Sequence, residues 1–226
     1  MLRTVSIALL FAATAGAASA QGFGSDRVAV GVHAGTTGFG VEGQFRATDR
    51  INLRAAGDFF KYDEEFSTDD VNYAGEIDFQ TASAFVDLHP FNNPVFVSAG
   101  AYVGERTVGF SATSNRDAEI GTVVFTAAQI GTLTGQADFG DFAPFVGVGF
   151  NNTFRTRGPI GFKAVVGAAF GEDPTVTLRR TGGVTLLPAV QTLFDTELRK
   201  EERELAEDAK DLKTFPVVQV GLSYRF

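Results

Sequence analysis

The chain has 226 residues, a length that suits one domain with a buried interior. It has no cysteine and two histidines, which excludes disulfide frameworks, thiolate metal sites, cysteine nucleophiles and lipid attachment through an N-terminal cysteine. A formal charge of −8 argues against nucleic acid as a partner, and 26 glycines with 23 phenylalanines and no tryptophan are a rare balance for a soluble α/β enzyme.

The chain opens on a short positive stretch, Met1-Leu2-Arg3-Thr4. An apolar run from Val5 to Ala17 and the small-residue site Ala18-Ser19-Ala20 follow. These parts predict a cleaved secretory signal peptide over 1–20 and a mature domain over 21–226. No later stretch reaches about 18 apolar residues, so no transmembrane helix is expected. The exported product is then either free or inserted as a β-barrel.

Alternation with period two runs through the rest of the chain, as strands between two different media require. Val28, Val30 and Val32 alternate with Ala29, Gly31 and His33. Phe39, Val41 and Phe45 oppose Gly40, Glu42, Gln44 and Arg46; Ile51, Leu53, Ala55 and Phe59 oppose Asn52, Arg54 and Asp58. Ile77, Phe79 and Phe85 face away from Glu76, Asp78 and Gln80. Val95, Val97, Ala99, Ala101 and Val103 oppose Ser98, Gly100, Tyr102 and Arg106. Leu133, Ala137 and Phe139 are set against Thr132, Thr134, Gln136 and Asp138. Val146, Val148 and Phe150 oppose Gly147, Gly149 and Asn151, and the even residues from Ile160 to Phe170 oppose Gly161, Lys163, Gly167 and Gly171. Val176 and Leu178 oppose Thr175, Thr177 and Arg179. The last run puts Pro216, Val218, Val220, Leu222, Tyr224 and Phe226 on one face, with aromatics carried to its end. A soluble sandwich would also alternate; the terminal rings favour a membrane girdle.

The expected fold is all-β: a transmembrane antiparallel up-and-down barrel of about ten strands, with eight or twelve as alternatives. Gly35 to Gly38 reads as a tight turn, with a bulge in one long strand as the alternative. Thr48-Asp49-Arg50, Phe91-Asn92-Asn93-Pro94, Gly140-Asp141 and Glu172-Asp173-Pro174 read as short turns on the side where the chain starts. Lys61 to Asn72, Ser111 to Gln129 and Gly182 to Lys213 read as long loops on the other side. Within the last, Leu193–Leu212 is rich in helix formers. Its stripe of Leu198, Leu205, Ala209 and Leu212 predicts an amphipathic helix lying on the rim or docking a partner.

The signal peptide, the Gly- and Phe-rich alternation and the ending Gly221-Leu222-Ser223-Tyr224-Arg225-Phe226 resemble small outer-membrane β-barrel proteins of Gram-negative bacteria, the broad OmpA/OmpW-like group. The chain is also similar to outer-membrane proteins with an acidic helix before the last strand. The resemblance implies residence in the cell outer membrane and contact with its lipid and lipopolysaccharide. It also implies recognition of Tyr224 and Phe226 by the barrel-assembly machinery. No peptidoglycan-binding domain follows the barrel, a departure from the full OmpA layout.

On this phase the lumen collects Glu42, Asp58, Glu76, Asp78 and Asp138 with Arg46, Arg54, Arg106, Lys163, Arg179 and Arg225. A small barrel fills its interior and pairs such charges, which favours a structural or surface-interaction role. Luminal glycines that keep space open would instead allow a narrow, porin-like passive channel. A barrel enzyme acting on lipid or peptide at the rim would draw on His33 with Ser98 or Ser111, yet no Gly-x-Ser-x-Gly or HExxH motif is present. His89 reads as an interface residue. Neither a cofactor nor a metal site is expected, since the acids Asp63, Glu64, Glu65, Asp69 and Asp70 form no spaced oxygen-ligand loop.

Overall fold

The structure, a computed structural model, describes residues 25–67 and 71–226, so the predicted leader and the loop acids Asp69 and Asp70 lie outside the described residues. The strands are β1 (Val28–Gly35), β2 (Gly38–Arg46), β3 (Ile51–Ser67), β4 (Val71–Leu88), β5 (Val95–Ser114), β6 (Ala118–Ile120) and β7 (Val123–Phe125). A short helix α1 (Ala127–Ile130) leads to β8 (Thr132–Asp138), β9 (Phe142–Asn151), β10 (Ile160–Phe170) and β11 (Thr175–Thr181). Helix α2 (Pro188–Asp208) and β12 (Thr214–Arg225) end the chain.

Every ladder is antiparallel, and eight strands close a barrel in the order β1-β2-β3-β4-β5-β9-β10-β12. The ring is sealed by the first and last strands, from Ala29 opposite Arg225 to Gly35 opposite Gln219. Gly35 and Gly38 face each other across Thr36-Thr37, so this segment is a tight turn and not a bulge. Gly38 has φ +95°, and a side chain there would strike Phe59 O, so the turn requires glycine.

The count falls from ten to eight because two expected turns are kinks within longer strands. β5 pairs with β9 and then with β8 in one unbroken register, Val95 opposite Phe150 through Thr113 opposite Thr132. Gly104 N–H bridges the gap at Asp141 O. Gly140, at φ +74°, redirects the chain without reversing it. β10 and β11 are likewise consecutive, broken at 171–174 by a stretch that ends in Pro174.

Alternation assigns one face outward. Val32, Phe39, Val41, Val97, Val148, Val166, Val220 and Leu222 are each 45–74 % exposed, although most lie mid-strand. In water that belt would be an aggregation hazard; in hydrocarbon it is the favourable surface. Tyr224 and Phe226 end it with ring centroids 5.6 Å apart.

β3, β4 and β5 run 17, 18 and 20 residues, well beyond the roughly 9–11 needed to cross a bilayer. Their far halves, with β8 and β11, stand as a five-stranded wall above the mouth, where the sequence predicts long loops. On the luminal side of that wall Leu133, Val176 and Leu178 meet Ile120 and Phe125 of the β6–β7 hairpin and Phe194 and Leu198 of α2. Phe125 and Phe194 pack edge to face at 4.9 Å. The helix starts at Pro188, earlier than Leu193, because proline suits a first helical turn. Its buried stripe begins at Phe194 and Leu198, while Leu212 stays 64 % exposed in a 3-10 turn after the helix.

Glu197, buried beside this cluster, accepts from Thr122 N–H at 2.9 Å and from Lys200 Nζ at 2.6 Å. The Lys200 hydrogen bond, with help from Thr122, holds its carboxyl below the ordinary glutamate range.

Placing Val166 mid-belt predicts that Val166→Arg costs about 2–4 kcal/mol by reversible denaturant titration in lipid vesicles. A change within about 0.5 kcal/mol would mean that the residue does not face hydrocarbon.

Candidate functional site

The barrel waist is crossed by a network of ionic side chains, each supplied by a different strand. β3 contributes Arg54, whose Nε donates to Asp87 Oδ2 at 2.5 Å and whose second nitrogen donates to Asp87 Oδ1 at 3.1 Å. Ser98 Oγ of β5 donates to the same carboxylate at 2.7 Å. On its other side Arg54 lies 3.5 Å from Glu42 of β2, which also pairs with Lys163 Nζ of β10 and accepts from Gln44 at 2.7 Å. The Arg54 guanidinium stacks over Phe85 at 4.7 Å and faces Phe96 at 5.7 Å. None of Glu42, Arg54, Asp87, Ser98 or Lys163 exceeds 5 % exposure, so bulk solvent screens the network weakly.

A second cluster lies next to it. His33 Nε2 meets Asp58 Oδ1 at 2.7 Å, and Thr37 Oγ1 donates to the same oxygen at 2.9 Å. Gln219 Nε2 donates to Thr37 at 2.7 Å. The His33 ring sits over Gly40, where any Cβ would collide with it, so that glycine is a seat for the imidazole. Toward the terminal end, Asn151 bonds Gln44 at 2.9 Å, and Thr153 bonds Asn151 and Ser223 at 2.6 Å each.

Space between these groups is taken by rings. Phe85, Phe96, Tyr102 and Phe145 are 0–5 % exposed. Phe85, Tyr102 and Phe145 pack edge to face at 5.2–5.9 Å. Three luminal glycines lie beneath such rings: a Cβ at Gly100 would strike Phe85, at Gly147 Phe145, and at Gly149 Phe96. These three glycines seat the rings and leave no free volume at their own positions. At the terminal end, residues 152–159 fold inward with Thr153 and Phe154 buried. Arg46 donates to Phe154 O, and Arg225 donates to Thr156 O and Gly158 O.

Of the expected luminal charges, Glu42, Arg46, Arg54, Asp58, Lys163 and Arg225 lie inside the barrel, and Arg106 lies half-buried inside its far mouth. Glu76, Asp78, Asp138 and Arg179 do not. They stand on the outward face of the wall, where Glu76 pairs with Lys61 at 2.7 Å, both more than half exposed. Beyond the hydrocarbon the outward face meets water, so the rule that places polar residues inside inverts. The same misreading put Phe79 and Phe85 on the lipid side; they face the lumen, and Val86 and Leu88 face out. Asp87 was missed for that reason, although Val86 and Leu88 flanking it carry the signal. Of the residues weighed for catalysis, His33 is engaged with Asp58, and Ser98 with Asp87 and Arg54. Ser111 lies in the wall. His89 closes the near end of β4, bonded to Asn52 at 3.0 Å and to Asn93 O at 2.9 Å. Burial, with Arg155 nearby, pushes its imidazole below the ordinary histidine value.

Two concavities lie beyond the waist. One is a trough of about 1020 Å³ over the outward face of the wall, edged by Glu76, Asp78, Gln136, Asp138, Thr177 and Arg179. The other is a vestibule of about 230 Å³ inside the far mouth, walled by Phe79, Val108, Phe139, Phe215 and Val217.

The same architecture recurs in solved structures. CarO2 of Acinetobacter baumannii superposes with a TM-score of 0.60 at 21% identity, over 88% of this chain and 98% of that one. The chain has the fold of a small outer-membrane β-barrel. CarO of the same organism gives 0.57 at 20% identity over the same shares. A major outer membrane protein from Thermus thermophilus gives 0.42 at 12% identity, over 88% and 99%, too distant to add to the argument. No family model matches the chain, and no curated protein matches it in sequence.

Removing Arg54 leaves Asp87 and Glu42 buried with fewer partners. Arg54→Met is expected to lower stability by about 3–5 kcal/mol, measured by denaturant titration in vesicles. Arg179→Met, on the outward face, should stay within about 0.5 kcal/mol.

Proposed function

We propose that the protein is an integral outer-membrane barrel, closed to solutes, that acts through its surface beyond the membrane. The observation that carries this reading is the Arg54 network: paired ions and stacked rings span the waist at near-zero exposure. The export leader predicted over 1–20 supports the compartment. The far end, with its wall, hairpin and helix, is then the extracellular side. The acidic trough and the solvated face of α2 are the surfaces offered there to lipopolysaccharide or to a partner. Tyr224, last on the lipid-facing side of β12, and Phe226 just after the strand serve as the signal to the barrel-assembly machinery.

One observation favours a second reading, a narrow channel. His33 Nδ1, Asp58 Oδ2, Asn52 Oδ1 and Ser83 Oγ are buried without a hydrogen-bond partner among the described residues. Such atoms call for water, and a thread of water through side chains free to rearrange would conduct small ions. Rim catalysis ranks below both, because His33 and Ser98 are committed to different carboxylates.

Purified protein in a planar bilayer is expected to give no reproducible conductance steps; reproducible steps would install the channel in place of the closed barrel. Deleting Phe226 is expected to reduce the heat-modifiable folded form in the outer-membrane fraction several-fold. Unchanged recovery would remove the assembly role of the terminal ring.

A further inference from the structure

We propose that the vestibule inside the far mouth is a binding site for a small amphipathic monocarboxylate, held by Arg106 through its charge and by the phenylalanine walls through its apolar body. The proposal goes beyond a closed surface barrel and does not depend on whether the lumen conducts.

The cavity is enclosed on the side that matters for retention. Tyr102 and Thr37 line its lower part, and Thr37 is bonded to Asp58 of the waist network, so a guest rests on a floor and does not pass through. Its walls are apolar and aromatic, with Phe79 and Phe215 edge to face at 6.0 Å. A concave apolar site with few polar groups is the usual form of a small-molecule pocket. At about 230 Å³ it falls below the ~300–1,000 Å³ of drug-sized sites, which points to a guest with one ring or a medium chain.

Arg106 sets the polar end. It is half-buried and lines the vestibule. One of its terminal nitrogens donates to Phe139 O at 3.1 Å and Gly140 O at 2.8 Å. Among the described residues no carboxylate is in ion-pair contact with it. A guanidinium carries five N–H donors, and these two acceptors share one nitrogen. A half-buried cation beside an apolar wall with donors to spare is a receptor for a carboxylate, which can take two parallel hydrogen bonds. Asp138, Asp141 and Glu172 lie close enough to be felt by the guanidinium without contacting it. Their repulsion acts on every negative charge of a guest and grows with each one, so a monoanion is favoured over a dianion. Lys213, at the rim, is already paired with Asp173 at 2.9 Å and supplies no competing pole.

The test uses the full mature chain in phosphatidylcholine nanodiscs, with empty nanodiscs as background. Octanoate, octan-1-ol and octylamine are titrated by calorimetry. The expected result is saturable 1:1 binding of octanoate, weaker binding of octan-1-ol and weakest binding of octylamine. Arg106→Gln, checked as folded by heat-modifiability, should weaken octanoate by roughly tenfold or more and leave octan-1-ol unchanged. Octanoate signal equal to that of empty nanodiscs overturns the site. So does octylamine binding as tightly as octanoate to the unaltered protein, a comparison that needs no variant. Unchanged octanoate affinity in folded Arg106→Gln removes the assigned role of the arginine. Bilayer conductance reports on the waist and leaves each of these outcomes readable.

Discussion

Everything in this molecule depends on the seal between its first and last strands. In hydrocarbon an unpaired backbone amide or carbonyl costs several kcal/mol, so a sheet can cross only if it has no edge. The ladder from Ala29–Arg225 to Gly35–Gln219 removes the edge, and only then does alternation acquire two distinct meanings. Outward positions become a solvent contact for lipid, so half-exposed valines and phenylalanines are stable where they stand. Inward positions become a core narrow enough that facing side chains must touch.

That narrowness explains the chemistry of the waist. Eight strands leave an interior just wide enough for side chains to fill. Charges placed there have little water to solvate them and must find each other. Arg54 is held by Asp87 on one side and approached by Glu42 on the other, while Lys163 also serves Glu42. Such pairs add little net stability compared with a hydrophobic filling, but loss of one member is costly because the others remain buried. The rings pack into the same space, and the glycines opposite them are small because the rings need that volume. The network is therefore better understood as a constraint on which strands may be neighbours than as a reservoir of stability.

Much of this was legible in the sequence, and the failures lie where the chain has left the membrane. The alternation of β1, β2, β9, β10 and β12, and of the near halves of β3 and β5, gave the correct inside and outside, because those segments lie within the membrane thickness. Glu42, Arg54, Asp58 and Lys163 could be read from it. β4 was inverted because its most polar positions, Glu76 and Asp78, belong to the part that has left the membrane. Val86 and Leu88, flanking Asp87 near the other end, held the true phase. β8 and β11 were counted as crossings because Gly140 and Pro174 look like turn residues, and only the unbroken register along β5 shows that the chain continues in one direction. The helix was visible from its composition. Its seat was less so, since Phe194 and the hairpin that meets it are brought together only by the wall.

Where the lipid ends, the geometry persists and the physical reading of each face reverses. The luminal parity of the wall carries Leu133, Val176 and Leu178, and it would be an exposed apolar sheet if the barrel mouth stayed open above it. Helix α2 and the β6–β7 hairpin cover it, and Glu202 accepts from Leu178 N–H at 2.8 Å on the last strand of the wall. The same cover narrows the mouth. The turn after α2 brings Leu212 and Lys213 to the rim of a space already walled by Phe79 and Phe215. The vestibule is thus a product of two features met together: an apolar wall that is covered from above, and a waist filled by paired charges and rings below. Between them lies the apolar volume that Arg106 borders.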